Sequence, residues 1–313
     1  MIRLILKRLA LSVPLILIVS IVTFVLESLT PGDAARLILG QDYSPAAYAR
    51  LRVELGLNHP LYQQYWDWLV GVVHGNLGVS PINRAPVAET LLARLPVTIS
   101  LVAGTVVVSA IIGVALGVAS ALRGRLLGRV VDAISLFGFA IPNFWLGLLL
   151  ATLFGVTFRL LPVTGYTPIG TDPGMWALGL VLPVATLAAG AVAGIAKLTR
   201  DSMIDVMDRE FIRALRAKGV AEVTIVFRHA LRSAALPVVT ALGLLFIGLL
   251  SGTVLVENIF ALPGLGNAAL TATNGHDFPT LQGVVLFFTL MVIVINLIID
   301  IAYGWLNPRV RQS

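Results

Sequence analysis

The sequence predicts an all-α integral membrane protein with six transmembrane helices and a small folded segment between the first two. Three observations lead to this fold class. Of the 313 residues, 58% are apolar and only 12% are charged, whereas soluble domains carry roughly 25% charged residues. The charged residues leave long apolar intervals between them, and the basic ones gather in alternate connections. The chain also has no cysteine, which excludes disulfide frameworks, thiolate metal sites and cysteine nucleophiles.

Six intervals free of charged residues can each supply a helix that crosses a bilayer, which takes about 20 apolar residues. They lie between positions 8 and 27, 94 and 123, 132 and 159, 172 and 197, 232 and 257, and 277 and 300. A charged side chain at a helix centre costs roughly 2.5–3.5 kcal/mol and each Leu or Ile contributes only about 0.3–0.6 kcal/mol, so charge-free intervals of this length indicate spans. A seventh interval, 258–276, is rich in Gly, Asn and Pro and is predicted to be a loop.

The predicted organisation has four parts. They are an N-terminal flank and first helix (1–29), an outer domain (30–96), helices two to six (97–306) with a connecting segment at 199–232, and a tail (307–313). The first apolar interval is predicted to be an uncleaved anchor, because no small-x-small cleavage site follows it.

Lysine and arginine residues set the predicted orientation. The N-terminal flank, the second-to-third connection, the fourth-to-fifth connection and the tail together hold 16 of the 22 basic residues. Because such residues favour the cytoplasmic side, both termini are predicted to be cytoplasmic and segment 30–96 to lie outside. The formal net charge of +6 then indicates topology and contact with anionic membrane lipid rather than nucleic acid.

The outer segment 30–96 is predicted to contain helices at 45–56 and 60–74. Apolar residues recur along the second of these at three- and four-residue steps; they are Leu61, Tyr65, Trp68, Leu69 and Val72. One interpretation is a small folded cap that packs its aromatic side chains on the membrane domain. The other is a docking surface for an extracellular partner.

The connecting segment 199–232 is predicted to form a helix, a turn at Gly219 and a second helix. Apolar stripes are predicted on both helices; they comprise Ile204, Met207, Phe211 and Leu215, and then Val223, Val226, Phe227 and Ala230. The segment is either a solvated amphipathic connector on the membrane or a rigid lever that docks on a cytoplasmic partner.

The sequence lacks the motifs of several kinds of binding and catalytic site. There is no GxxxxGK[ST] phosphate loop, no HExxH and no GxSxG elbow, and the four histidines are scattered. Glu27, Asp132 and Asp300 lie at the edges of spans, whereas proton-coupled carriers usually place an ionisable group inside the bilayer. An ion-coupled secondary transporter and an intramembrane hydrolase are therefore the weaker alternatives. Inside the third span, Pro142 and Asn143 free backbone groups that either line a polar pathway or mark a packing kink.

Five blocks of sequence, in order, resemble the permeases of bacterial ATP-binding-cassette importers, and among these the dipeptide, oligopeptide and nickel branch. The blocks are TPGD (30–33) with LGLNHPLYQQYWDWL (55–69) and HGNLGVS (74–80), FIRALRAKGVAEVTIVFRHALRSAALPVVTALG (211–243), ENIFALPGLG (257–266), HDFPTLQG (276–283) and NPRVR (307–311). The outer domain between helices one and two is similar to that of the first, or B-type, permease. The resemblance covers nearly the whole chain and implies the type I importer permease fold.

The resemblance also implies partners and a location. The chain is expected in the bacterial inner membrane beside a homologous sister permease, two cytoplasmic ATPase subunits and an extracellular peptide-binding protein. It is expected to be non-catalytic, with no cofactor or metal of its own, while the ATPases bind ATP and Mg. Di- and oligopeptides are the expected solutes, and nickel or another small solute is the alternative.

Two sets of site residues are expected; the first follows from the resemblance, and the second also includes Pro142 and Asn143 from the third span. Those expected to couple to the ATPase are Arg213, Ala214, Arg216, Ala217, Lys218, Gly219, Glu222 and Thr224. Those expected along the pathway or at its gate are Pro142, Asn143, Glu257, Pro263, Gly264 and Gly266, the last four being otherwise a turn that caps a helix. The chain departs from the family pattern where Arg213 and Leu215 replace residues of a Glu-Ala-Ala start, and where Asn76 replaces a usual Asp, which leaves the role of a carboxylate there open.

Overall fold

The computed structural model describes residues 2–32, 34–122, 128–129, 133, 138 and 140–306. Regular structure in these residues is helical, and strand-like pairing is limited to a single bridge between Val79 and Pro86. The helices, in chain order, are α1 (Ile2–Ser28), α2 (Ala34–Leu39), α3 (Pro45–Glu54), α4 (Leu61–Val73), α5 (Val87–Leu122), α6 (Asn143–Leu150), α7 (Pro173–Met207), α8 (Glu210–Ala217), α9 (Glu222–Thr224), α10 (Leu231–Ile259), α11 (Leu265–Gly275) and α12 (Phe278–Leu306). The prediction of an all-helical chain is confirmed.

Five helices among the described residues are long and apolar enough to cross a membrane: α1, α5, α7, α10 and α12. Helix α10 alone has 29 residues, or about 43 Å at 1.5 Å per residue, against a hydrocarbon core of about 30 Å. The predicted span between positions 132 and 159 lies partly outside the described residues. Its described half is apolar helix α6, continued by a π-helical turn at Ala151–Thr157.

Local sequence explains where several helices begin. Helix α7 starts with Pro173, a residue that fits the first helical turn, and the Asp172 carboxylate accepts hydrogen bonds from the backbone N–H groups of Gly174 and Met175 at 2.9 and 3.0 Å. Helix α3 starts in the same way, with a Ser44 cap before Pro45. Satisfying the first N–H groups of a helix in this manner fixes its boundary.

Residues 2–98 and 263–293 form one compact unit. Within it the predicted helices at 45–56 and 60–74 are confirmed as α3 and α4. Tyr65 of α4 meets the ring of Phe24 edge-on at 5.5 Å between centroids, and its hydroxyl lies 2.9 Å from the Ser20 hydroxyl. Tyr65 therefore packs on α1, as the cap interpretation expects, whereas Tyr62 and Trp66 of the same helix are exposed.

Residues 99–262 together with the described part of 294–313 form a second unit. In it α7 and α10 pack along each other, and α6 contacts both. Helix α5 approaches α7 so closely that a Cβ at Gly117 would lie 2.6 Å from the Ala196 carbonyl oxygen. Glycine permits this approach because it has no side chain.

Three predicted boundaries need correction. Helix α5 begins at Val87, well before the predicted start of the second span, and contains Pro96. The interval 258–276 is not wholly a loop, because α11 occupies residues 265–275. The predicted helix through 204–215 is broken at Asp208 and Arg209, between α7 and α8.

Candidate functional site

The first candidate site is the coupling segment, defined here as residues 209–224. Its helix α8 ends at Ala217, and the chain turns through Gly219, whose φ of +75° lies in the left-handed region. The turn is closed by two backbone hydrogen bonds, from Gly219 N to Arg216 O at 3.0 Å and from Val220 N to Leu215 O at 3.2 Å. A Cβ at Gly219 would meet no atom within 4 Å, so backbone conformation, rather than crowding inside this chain, is what calls for glycine there.

A bidentate ion pair also spans the turn. Arg216 Nη2 lies 2.7 Å from Glu222 Oε1, and Arg216 Nε donates to Glu222 Oε2 at 3.2 Å. This hydrogen bond raises the pKa of the Arg216 guanidinium above its ordinary value. The pair joins α8 to α9 across the Gly219 turn, and its fork geometry fixes an orientation as well as a contact.

The coupling segment rests on a buried apolar cluster at the ends of the long helices. Ile212 and Ile225 are fully buried in it, beside Met203 and Val206 of α7. The predicted stripes are therefore only partly correct: Val226 and Ala230 are buried, but Ile204, Phe211, Val223 and Phe227 are exposed. Met207 and Leu215 pack against the edge of the cluster.

Most of the predicted coupling residues are exposed. Seven of the eight are exposed and Thr224 is half-buried; the exposed ones are Arg213, Ala214, Arg216, Ala217, Lys218, Gly219 and Glu222. The structure thus leaves these residues accessible on a segment that Ile212 anchors to the buried cluster. Their coupling role stays a prediction.

The second candidate site is a cavity of about 710 Å³ in the unit that contains α6, α7 and α10. Pro142 caps the N-terminus of α6, Asn143 is its first residue, and both line the cavity. Among the described residues that line the cavity, Asn143 has the one polar side chain. The cavity is otherwise apolar, which differs from the polar lining that Pro142 and Asn143 were expected to mark.

Glycines make room for this cavity, and the sequence analysis missed them. Gly190 and Gly194 of α7 and Gly248 and Gly252 of α10 all line it. Each pair has four-residue spacing, which places both glycines on one helix face. The GxxxG spacing in two apolar spans is the sequence pattern that indicates such a face.

The predicted gate residues do not all belong to one compact unit. Glu257 is fully buried near the end of α10, and its backbone carbonyl accepts from Leu262 N at 2.8 Å. Its side chain therefore offers no surface to a partner in this conformation.

Pro263, Gly264 and Gly266 belong to the start of α11, in the other unit. Pro263 is exposed, and the two glycines are buried. Gly264 is the N-cap of α11, and the Leu265 N–H donates to Thr98 Oγ1 at 2.8 Å. This arrangement matches the interpretation of a turn that caps a helix, and a gate role stays a prediction.

No cluster of metal-ligating side chains is present among the described residues, where groups of three or more His, Cys, Asp or Glu were sought. Blocks of the resemblance that include residues 33 and 307–311 lie outside the described residues in those parts, as do Arg123 and Arg125.

Comparison with known families identifies the class. Residues 111–312 match the family described as the binding-protein-dependent transport system inner membrane component, and residues 1–102 match the N-terminal domain that accompanies it. The chain belongs to this family. It is a multi-pass protein of the inner membrane and the permease subunit of an ATP-binding-cassette importer, a class that works with a partner permease, ATPase subunits and a binding protein.

Individual relatives align end to end. The chain is 41% identical to a peptide transport system permease protein of Brucella abortus, over 100% of both chains. It is 37% identical to a peptide ABC transporter permease protein of Sinorhizobium fredii, over 98% of both, and 35% identical to the dipeptide transport system permease DppB of Escherichia coli, over 100% of both.

A solved structure supports the fold. The MetNI methionine ABC transporter matches with a TM-score of 0.56 at 21% identity, covering 70% of this chain and 97% of the matched chain. This likeness confirms the type I importer permease fold.

Proposed function

We propose that this chain and a homologous sister permease together form the path by which di- and oligopeptides cross the inner membrane. The full-length relatives named for peptide or dipeptide transport support this substrate class. The 710 Å³ cavity supports it as well, because its wall is apolar and glycine-rich, and the described residues that line it include no charged side chain. Such a wall can pass peptides with differing side chains without selecting one charge. Nickel would find a single side-chain oxygen ligand there, that of Asn143.

The coupling segment is the feature that most supports an ATP-driven mechanism. One face of residues 209–224 is anchored on the buried cluster and the other is exposed and rich in Arg, Lys and Glu. In the proposed mechanism, two cytoplasmic ATPase subunits bind ATP and Mg and contact the exposed face of the coupling segment. Their closure displaces α8 and α9, and the anchored face transmits the displacement to α7 and α10. A packed helix pair transmits motion in discrete steps because packed interfaces are bistable. The chain itself is proposed to be non-catalytic and to hold no cofactor.

The proposed orientation places both termini and the coupling segment in the cytoplasm, following the bias of Lys and Arg. Segment 30–96 then faces an extracellular peptide-binding protein. The exposed Tyr62 and Trp66 on α4 offer aromatic contact area on that side.

Reconstitution tests the proposal. The chain is purified with the subunits that accompany it and inserted into liposomes with the binding protein. We expect dipeptide, but not free nickel ion, to stimulate ATP hydrolysis and to accumulate inside only when ATP is supplied. If nickel alone stimulates ATP hydrolysis, the metal and not a peptide is the transported solute. Uphill accumulation by the chain without any ATPase would contradict the importer mechanism.

A further inference from the structure

A polar cleft lies apart from the cavity just described, within the unit of residues 2–98 and 263–293. It consists of two adjoining cavities of about 380 and 270 Å³. Four residues line both of them, namely Phe24, Leu57, Gln64 and Phe278. The transport proposal makes no use of this cleft.

Glu27 faces the larger cavity with an unsatisfied carboxylate. The residue is 7% exposed, and among the described residues no hydrogen bond of good geometry reaches either carboxylate oxygen, although the Gln282 side chain lies beside them. Burying an ionised carboxylate without a counter-ion or donors is strongly unfavourable. A cation, or hydrogen-bond donors supplied from outside the chain, would remove this cost.

The neighbouring acidic residue shows the contrast. Asp277 is also buried, but its Oδ2 accepts from Ser80 Oγ at 2.5 Å and from Thr280 Oγ1 at 2.8 Å. These donors come from the chain itself and satisfy Asp277 as a structural group. Glu27 has no such set of donors among the described residues, so the two buried carboxylates differ in their hydrogen bonding.

Gln282 supplies a second open acceptor. It is 1% exposed and lines the smaller cavity. Its Nε2 donates to the Ser20 carbonyl at 3.2 Å, and its Oε1 has no partner in the part of the chain that the structure describes. The cleft therefore presents two unsatisfied acceptors, one of them anionic. Trp68 also lines the smaller cavity, and its Nε1–H is a buried donor with no partner among the described residues. The cleft therefore matches a ligand that carries N–H groups together with an acceptor.

The side chains that line the larger cavity also suit an organic ammonium ligand. Phe24, Tyr48 and Phe278 line the larger cavity, and aromatic faces attract organic cations. Arg36 and Arg52 line it too, with the Arg52 guanidinium held by the Tyr48 hydroxyl and the Leu57 carbonyl, both at 3.2 Å. A ligand that carries an anionic group beside its ammonium can therefore place the ammonium near Glu27 and the anionic group near Arg36 and Arg52.

We propose that this cleft binds a primary ammonium group, with the Glu27 carboxylate as its counter-ion and the Gln282 amide oxygen as a further acceptor. Two sources carry that group next to an anion. One is a phosphatidylethanolamine headgroup, because Glu27 lies one residue from the end of the apolar span Arg8–Ser28 and hence at headgroup depth. The other is a water-soluble zwitterion such as a free dipeptide.

The test uses the full-length chain with its co-purifying subunits, without the binding protein, in nanodiscs. In the lipid arm, discs contain equal phosphatidylethanolamine and phosphatidylcholine, and native mass spectrometry counts the lipids retained. In the soluble arm, discs contain phosphatidylcholine only, and titration calorimetry compares alanyl-alanine with N-acetyl-alanyl-alanine. A hydrogen-bonded ion pair in a buried site predicts a preference of about tenfold or more for the primary ammonium in one arm.

The variant Glu27→Gln keeps the side-chain shape and removes the charge, so we expect it to abolish that preference. Glu89→Gln, the same change at an exposed position outside the cleft, should leave it intact. Preference in the lipid arm identifies the headgroup as the source, and preference in the soluble arm identifies the free zwitterion.

Two results would overturn the proposal. One is a wild-type protein that does not distinguish primary from quaternary or acetylated amines in either arm, a comparison that needs no variant and so stands even if Glu27→Gln fails to fold. The other is a folded Glu27→Gln variant that retains the preference. Both readouts measure binding, so a failure here is distinguishable from a failure of the transport proposal.

Discussion

At the scale of single residues, Gly219 is required by its backbone conformation and not by contacts with neighbouring atoms. Its φ of +75° is one that residues with a Cβ rarely adopt, yet a Cβ there would enter open space. A side chain at this position therefore acts through the backbone of the turn. Because that turn sets the angle between α8 and α9, strain in it alters the face presented to a partner.

We expect Gly219→Ala to lower the free energy of unfolding by about 1 kcal/mol, the usual penalty for a left-handed L-residue. We also expect the variant to transport less peptide per ATP hydrolysed, because the altered turn misplaces the exposed coupling residues. The measurements are thermal unfolding in detergent, and uptake against ATP hydrolysis in proteoliposomes.

Gly165 offers a matched control. It has a φ of +92°, and a Cβ there would also meet no atom within 4 Å, so Gly165→Ala should bring a similar loss of stability. Its transport per ATP should stay at the wild-type value, since it lies outside the coupling segment. Equal transport ratios in the two variants would show that the Gly219 turn has no part in coupling.

At the scale of elements, α8 is a short helix that depends on its buried face. Eight residues form a marginal helix in isolation, and Ile212 is the residue of α8 that is fully buried in the cluster with Met203 and Ile225. Docking on this cluster is therefore what holds α8 in place. Weakening the contact should release α8 without disturbing the membrane spans.

We expect Ile212→Ala to lower the free energy of unfolding of this region by about 2–5 kcal/mol, the range for truncating a buried isoleucine. Amide hydrogen exchange should then become faster in residues 210–217, while α7 and α10 keep their protection. Phe211→Ala is the control, because Phe211 is a larger side chain on the same helix but is 40% exposed. Unchanged exchange in Ile212→Ala would mean that the cluster does not hold α8.

The elements also show which features sequence patterns predict. Long charge-free intervals located the described spans, because excluding charge from hydrocarbon is a large and local effect. The stripe through 204–215 was wrong because it assumed one continuous helix, whereas the break at Asp208 and Arg209 resets the helical phase. In the next stripe Ile225 is buried and Val223 is exposed, and a π-helical turn at Ile225–Ala230 replaces the assumed α-helical spacing.

Helix α11 escaped prediction for a different reason. Its sequence contains Asn267, Asn274 and Gly275, residues with low helix propensity. Contacts distant in sequence stabilise it: the Thr98 hydroxyl caps Leu265 N, and Arg94 Nη1 donates to Asn267 Oδ1 at 3.3 Å. Such contacts do not appear in a local pattern, and the same holds for the unsatisfied Glu27 and Gln282.

At the scale of the whole molecule, the absence of cysteine makes the proposed orientation directly measurable, since a single introduced thiol has no competitor. Lys218 is exposed in the coupling segment, and Tyr62 of α4 is 77% exposed. The proposed topology places them on opposite sides of the membrane, because Ser28 ends the first span and the basic 199–232 connection belongs to the cytoplasmic side.

We therefore expect Tyr62→Cys to react with a membrane-impermeant maleimide in right-side-out vesicles, and Lys218→Cys to react only in inside-out vesicles. The wild-type chain should remain unlabelled in both preparations, which controls for reaction at other groups. The reverse pattern would invert the topology and put the coupling segment out of reach of any cytoplasmic ATPase. In that case the exposed cationic face of residues 209–224 would need a partner outside the cell, and the force that drives transport could not enter through it.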